Sequence, residues 1–117
     1  MREFKTLTAW RRSHKLTLEI YNITSKFPRE ELFGLVSQMR RSCSSIPTNI
    51  AEGCGRESIP DFQRFLTIAK GSASELEYQI LLSKDLKYIT DEQFLILDTE
   101  INEIRKMIHG LGARIKY

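Results

Sequence analysis

Three glutamates, Glu52, Glu75 and Glu77, are the first residues to weigh for chemistry, because helical bundles can hold metal pairs on facing carboxylates. A di-iron site of that kind also needs paired Glu-x-x-His motifs, and the sequence has none. Its two histidines, His14 and His109, stand singly without ligand spacing. Glu75 and Glu77 project about 200° apart on a helix, so they cannot line one site from it. No metal and no cofactor are expected. Glu52 and Glu75 read instead as anchors of polar contacts between helices or subunits. The serines Ser42, Ser44, Ser45, Ser72 and Ser74 fall inside helical segments, with no nucleophile elbow and no histidine partner. Gly53 and Gly55 do not make a phosphate loop, because the Gly-Lys-Ser/Thr ending is missing. The chain reads as non-enzymatic.

The cations suggest more. Arg11, Arg12 and Lys15 cluster early, Arg40 and Arg41 are adjacent, and Arg56 follows. Arg64 and Lys70 come next, and Arg105, Lys106, Arg114 and Lys116 enrich the C-terminal segment. Such residues bind phosphates by displacing counterions, without reading bases. Arg11, Arg12, Lys15, Arg40, Arg41 and Arg56 are therefore the candidate nucleic-acid contacts. Arg40 and Arg41 project about 100° apart, so one of them can brace a carboxylate while Arg41, furthest from the apolar stripe, faces phosphate. No helix-turn-helix, zinc-finger or RNA-recognition signature is present, which argues against sequence-specific reading.

The bulk numbers set the frame. A chain of 117 residues forms one domain, 1–117. Its net charge of +3 is a mild excess, and it grows in an oligomer that gathers copies of one basic face. No apolar run approaches the ~18 residues needed to span a membrane. Met1-Arg-Glu-Phe-Lys5 shows no secretory signal, so a cytoplasmic location is expected. Cys43 and Cys54 on one helix would lie roughly 16 Å apart, too far for a disulfide. They read as small apolar groups.

Glycine and proline divide the chain into four helices, roughly 7–26, 29–53, 59–88 and 91–115 by their spacing and caps. Ser58-Ile-Pro-Asp61 and Thr90-Asp-Glu-Gln93 read as capping boxes. In the second helix Leu32, Leu35, Val36, Met39, Cys43, Ile46 and Ile50 share one face. Phe62, Phe65, Leu66, Ala69, Ala73, Leu76 and Ile80 do so in the third. Phe94, Leu97, Ile101, Ile104, Ile108, Leu111 and Ile115 do so in the fourth. Short connections then favour an all-α, antiparallel up-down-up-down four-helix bundle. Pro47 sits inside the second stripe, which continues to Ile50; the proline is expected to bend this helix rather than end it, although it removes a hydrogen bond at a cost of ~3 kcal/mol. The first helix has two stripes. Leu16, Ile20, Ile23 and Phe27 face the core, and Trp10, His14, Leu18 and Tyr21 form a second face that reads as an oligomer interface. In the third helix Ile68, Leu82, Leu86 and Ile89 also lie off the main face.

With the helices placed, nearly the whole chain resembles the bacterial four-helix-bundle proteins encoded within 23S ribosomal RNA intervening sequences. The matching features are Trp10, then Phe27-Pro28-x-Glu30-x-x-x-Gly34-Leu35 and Gln38-x-Arg40-Arg41. Ser45-Ile46-Pro47-x-Asn49-Ile50-Ala51-Glu52-Gly53, Phe62-x-x-Phe65-Leu66-x-Ile68-Ala69-x-Gly71-Ser72 and Glu75-Leu76-Glu77 complete them. That family is similar in fold to the accessory proteins of diversity-generating retroelements, which assemble as homopentamers and bind nucleic acid and a reverse transcriptase. The resemblance implies a homopentamer and a partner that is ribosomal RNA or another nucleic acid. The alternative is an oligomeric adaptor for a protein partner, such as a reverse-transcriptase accessory scaffold. No membrane partner is expected.

Overall fold

The computed structural model describes residues 2–115, so Lys116 among the expected C-terminal cations lies outside them. Four α-helices carry the chain: α1 (Thr8–Thr24), α2 (Ser37–Cys54), α3 (Ile59–Asp85) and α4 (Asp91–Arg114). No strand occurs among the described residues. Consecutive helices run antiparallel, up-down-up-down. Ser45 of α2 meets Ser72 of α3 at 2.9 Å, and Arg105 of α4 meets Glu77 of α3 at 2.8 Å. Arg12 of α1 reaches Glu100 of α4 and closes the ring of helices into a rod of 47 × 24 × 20 Å.

The expected stripes meet along the axis. Leu16, Ile20, Met39, Ile46, Phe62, Leu76, Ile101 and Ile104 are among the largest fully buried side chains of one continuous core. Each such burial contributes about 1.5–3 kcal/mol. The Thr90 capping box opens α4: Thr90 Oγ1 accepts from the Gln93 amide at 3.0 Å, and Gln93 Oε1 accepts from the Thr90 amide at 2.9 Å. At Ser58 only the serine half forms, accepting from the Asp61 amide at 3.2 Å, while the Asp61 carboxylate turns to Arg64 at 3.0 Å. α3 stops at Asp85, short of residue 88. Lys87 adopts φ 65°, and the Tyr88 amide donates back to the Ser83 carbonyl at 2.9 Å. That is a left-handed helix stop of the kind glycine usually makes.

The second helix does not begin at residue 29 as its stripe suggested. Arg29–Glu31 form a 3-10 turn, Leu32–Val36 form a π-turn, and α2 proper starts at Ser37. Gly34, at φ −112° and ψ −109°, breaks the helical path. Glu31 holds the irregular turn from both sides: one carboxylate oxygen accepts from the Leu35 amide at 3.4 Å and the other from the Tyr88 hydroxyl at 2.8 Å. The wider turn shifts the register before it. Leu32, placed in the core stripe by its spacing, is 47% exposed, and Phe33 is 93% exposed.

α2 runs through Pro47 without a break. Proline offers no N–H, so the Cys43 carbonyl one turn back has no donor from that position. Thr17 of α1 lies at this gap, its hydroxyl 3.3 Å from the Cys43 carbonyl and 2.8 Å from its own Ser13 carbonyl. The defect in α2 is thus covered by the neighbouring helix.

Candidate nucleic-acid interface

The six candidate cations occupy different environments. Arg12 is bound to Glu100, its Nε 2.9 Å from the carboxylate, and this hydrogen bond raises the guanidinium above its usual pKa. Arg41 donates to Glu75 at 2.6 Å across α2 and α3. Arg56 reaches Glu52 at 3.1 Å, four residues back in sequence, and Asp61 at 3.6 Å. Arg40 donates to Thr24 Oγ1 at 3.0 Å and to the Tyr21 carbonyl at 3.1 Å, and its guanidinium lies 4.6 Å above the Tyr21 ring. It ties α2 to the C-terminal end of α1, where a cation complements the helix dipole. Arg11 donates to the Thr6 carbonyl at 2.8 Å. Lys15 is exposed, and neither it nor Arg11 or Arg40 has a carboxylate within ion-pair distance among the described residues.

The two glutamates singled out earlier differ as well. Glu75 spans two helices through Arg41, and Gln79 also approaches it at 3.4 Å while accepting from buried Ser42 at 2.6 Å. A polar ladder thus leads from the core to the surface between α2 and α3. Glu52 pairs locally. Glu77 is a further interhelical carboxylate; its hydrogen bond from Arg105 holds it below the usual carboxylate pKa. Burial pushes the Cys43 thiol up to about 11, and Cys54 is raised for the same reason. No group of three or more metal-ligating side chains comes together among the described residues.

The second face of α1 is only partly covered. Trp10 packs against the core, with Phe4 edge-on at 4.9 Å and His14 stacked at 5.1 Å. Leu18 and Tyr21 are 59% and 43% exposed. Beside this face a groove of about 840 Å³ runs between α1 and α2, lined by Trp10, His14, Ser44, Pro47, Thr48 and Glu52 among others. The short side chains of α2 leave room there for a close approach.

Charge is segregated along the rod. A cut after Lys15, Ser45, Ser72 and Asn102 divides the described residues into two halves. The half holding the N-terminal residues, the α2–α3 turn and the end of α4 carries eleven of seventeen Lys and Arg but five of fifteen Asp and Glu. The other half carries six cations against ten carboxylates. Arg11, Arg12, Lys15 and Arg56 belong to the basic half, whereas Arg40 and Arg41 belong to the acidic one. Counting charge by helix half, once the antiparallel order is fixed, is the signal that would have shown this in the sequence. No helix among the described residues is long and apolar enough to cross a membrane.

Comparison with known proteins agrees with this architecture. The family described as 23S rRNA-intervening sequence protein matches residues 5–110. A crystal structure of a protein of unknown function from the S23 ribosomal protein family of Bacteroides thetaiotaomicron VPI-5482 is similar at a TM-score of 0.83. It shares 30% identity, and the match covers 90% of this chain and 95% of that one. No curated protein matches.

Proposed function

The chain belongs to the 23S rRNA-intervening sequence protein family, and on that premise we propose that it is a non-enzymatic cytoplasmic homo-oligomer, a pentamer, that binds RNA through its basic half with little sequence preference. The charge segregation along the rod carries this reading. Cations concentrated at one end attract a polyanion even when the whole-chain excess is small. The exposed Leu18 and Tyr21 support assembly, since a second copy would cover them. Within the basic half Arg11 and Lys15 are the better phosphate contacts, because Arg12 and Arg56 are already committed to carboxylates.

The test is RNA affinity measured against salt for several unrelated sequences. Binding should weaken steeply with salt and vary little with sequence. Arg11→Gln with Lys15→Gln should weaken it for every sequence and flatten the salt dependence. An intact oligomer with no affinity for RNA even at low salt would end this reading. The adaptor alternative has its own support in the exposed Phe33, Leu86, Leu95 and Ile96, all in the acidic half. A protein partner retained at high salt would favour it.

A further inference from the structure

The basic half contains a cleft of about 320 Å³ between the start of α1 and the end of α4. Lys106 and Arg114 line it, together with Thr6 and Thr8 on the opposite wall and Met107 and Leu111 at its base. No carboxylate lines it. The groove at Trp10 contains Glu52, and the one at Lys15 contains Glu19 and Glu100, so an anion is opposed in both. Arg11 stands beside the cleft without lining it, its guanidinium donating to the Thr6 carbonyl at 2.8 Å and to the Lys5 carbonyl and Thr8 Oγ1 at 3.3 Å each. The nearest carboxylate pair is loose, with Lys106 Nζ 3.8 Å from Glu103.

One other cleft has two cations and no acid in its walls, at Arg29 and Arg40. Two facts separate them. Arg40 has already given its donors to Thr24 and the Tyr21 carbonyl, and that cleft sits at the C-terminal end of α1, whose carbonyls repel anions. The cleft at Lys106 lies at the opposite end of the same helix, where no side chain caps the first turn and no acid occupies it. The field of the helix favours negative charge there.

From the cleft and its two cations we infer that Lys106 and Arg114 form a phosphate site for a nucleotide, with the apolar base at Met107 and Leu111 seating the nucleobase. The inference rests on the proposed RNA function for its polymeric ligand, and a free nucleotide carries the same chemistry. Forked guanidinium donors and an ammonium suit phosphate oxygens.

Two measurements on the full chain separate these sources. The first is single-stranded RNA affinity for the unaltered protein, for Lys106→Gln with Arg114→Gln, and for Lys26→Gln with Lys87→Gln in the acidic half. The cleft pair should lose at least tenfold and the control pair less than twofold, since hydrogen bonds to charged groups are the strong ones. Circular dichroism establishes that each variant is folded. The second follows the amides of Thr8, Ala9 and Gly110 by NMR as inorganic phosphate or adenosine monophosphate is added. Both should shift them, the nucleotide at lower concentration; equal potency would overturn the base seat. Unchanged RNA affinity in the cleft variant would overturn the site and leave the RNA function standing. Shifts with small phosphates but no RNA binding would uphold the site and sink the RNA function. Neither response would overturn both.

Discussion

Thr17→Val tests the account of Pro47. The substitution keeps the side chain's shape and removes its hydroxyl. Thr17 is almost fully buried and Cys43 is fully buried, so water cannot readily replace what is lost. The Cys43 carbonyl, already without a donor from residue 47, would lose its neighbour at 3.3 Å, and the Cys43 thiol would lose its acceptor at 3.4 Å. An unsatisfied buried group costs about 1–3 kcal/mol. The 3.3 Å contact is long, and the hydroxyl's shorter bond goes to Ser13, so the lower part of that range applies, about 1–2 kcal/mol. For a domain of this size that corresponds to a fall in Tm of roughly 4–8 °C. The decisive measurement is a double-mutant cycle by chemical denaturation. Pro47→Ala restores an N–H aimed at the Cys43 carbonyl, so Thr17→Val should cost about 1 kcal/mol less in that background. Equal cost in both backgrounds would refute the claim that α1 repairs the proline gap in α2.

Other outcomes follow from the packing of the helices. Gly53→Ala should destabilise by about 1–3 kcal/mol in thermal or chemical denaturation, because the new Cβ would lie 2.6 Å from the Phe62 ring and 3.1 Å from Phe65 Cβ. Gly71→Ala meets nothing within 4 Å and should instead gain up to about 1 kcal/mol of helix propensity. Glu77 has a depressed folded-state pKa, so its contribution is present above its ordinary value of 4.5 and is lost as pH falls through the lower folded value. Glu77→Gln should therefore flatten the acid limb of a stability–pH curve; the pair is partly solvated, so the effect should stay below about 1 kcal/mol. Leu18→Asp should dissociate the proposed oligomer in light scattering, and Trp10→Asp should also destabilise the protomer because Trp10 packs against its core; a monomer in the unaltered protein at micromolar concentration would refute the interface.

Where apolar spacing ran uninterrupted, the helices could be read from the chain. The α3 stripe from Phe62 to Ile80 is buried throughout, and the Thr90 box opens α4 where its side chains indicated. The start of α2 was not legible, because a π-turn is a local compromise between Gly34 and the two tethers of Glu31, one of them to Tyr88, distant in sequence. Candidate contacts divided along a similar line. The Arg56–Glu52 pair is visible as an i, i+4 spacing, but Arg12–Glu100 joins residues far apart in the chain and needs the fold to be seen. Sequence could identify the cations; only packing shows which of them are already neutralised.

The length of the rod gives its charge segregation a further meaning. At physiological ionic strength fields decay over about 8 Å, a small fraction of the 47 Å long axis. Each end therefore presents its own sign to an approaching molecule, and the whole-chain value of +3 describes neither. In dilute salt the decay length grows to about 30 Å, and the two ends begin to feel the same visitor. The molecule then acts as an electric dipole that turns to face a polyanion before touching it. In a ring with cyclic symmetry only the components of these dipoles along the ring axis add, so rods standing along that axis would give two rims of different sign. In an assembly with perpendicular two-fold axes they would cancel.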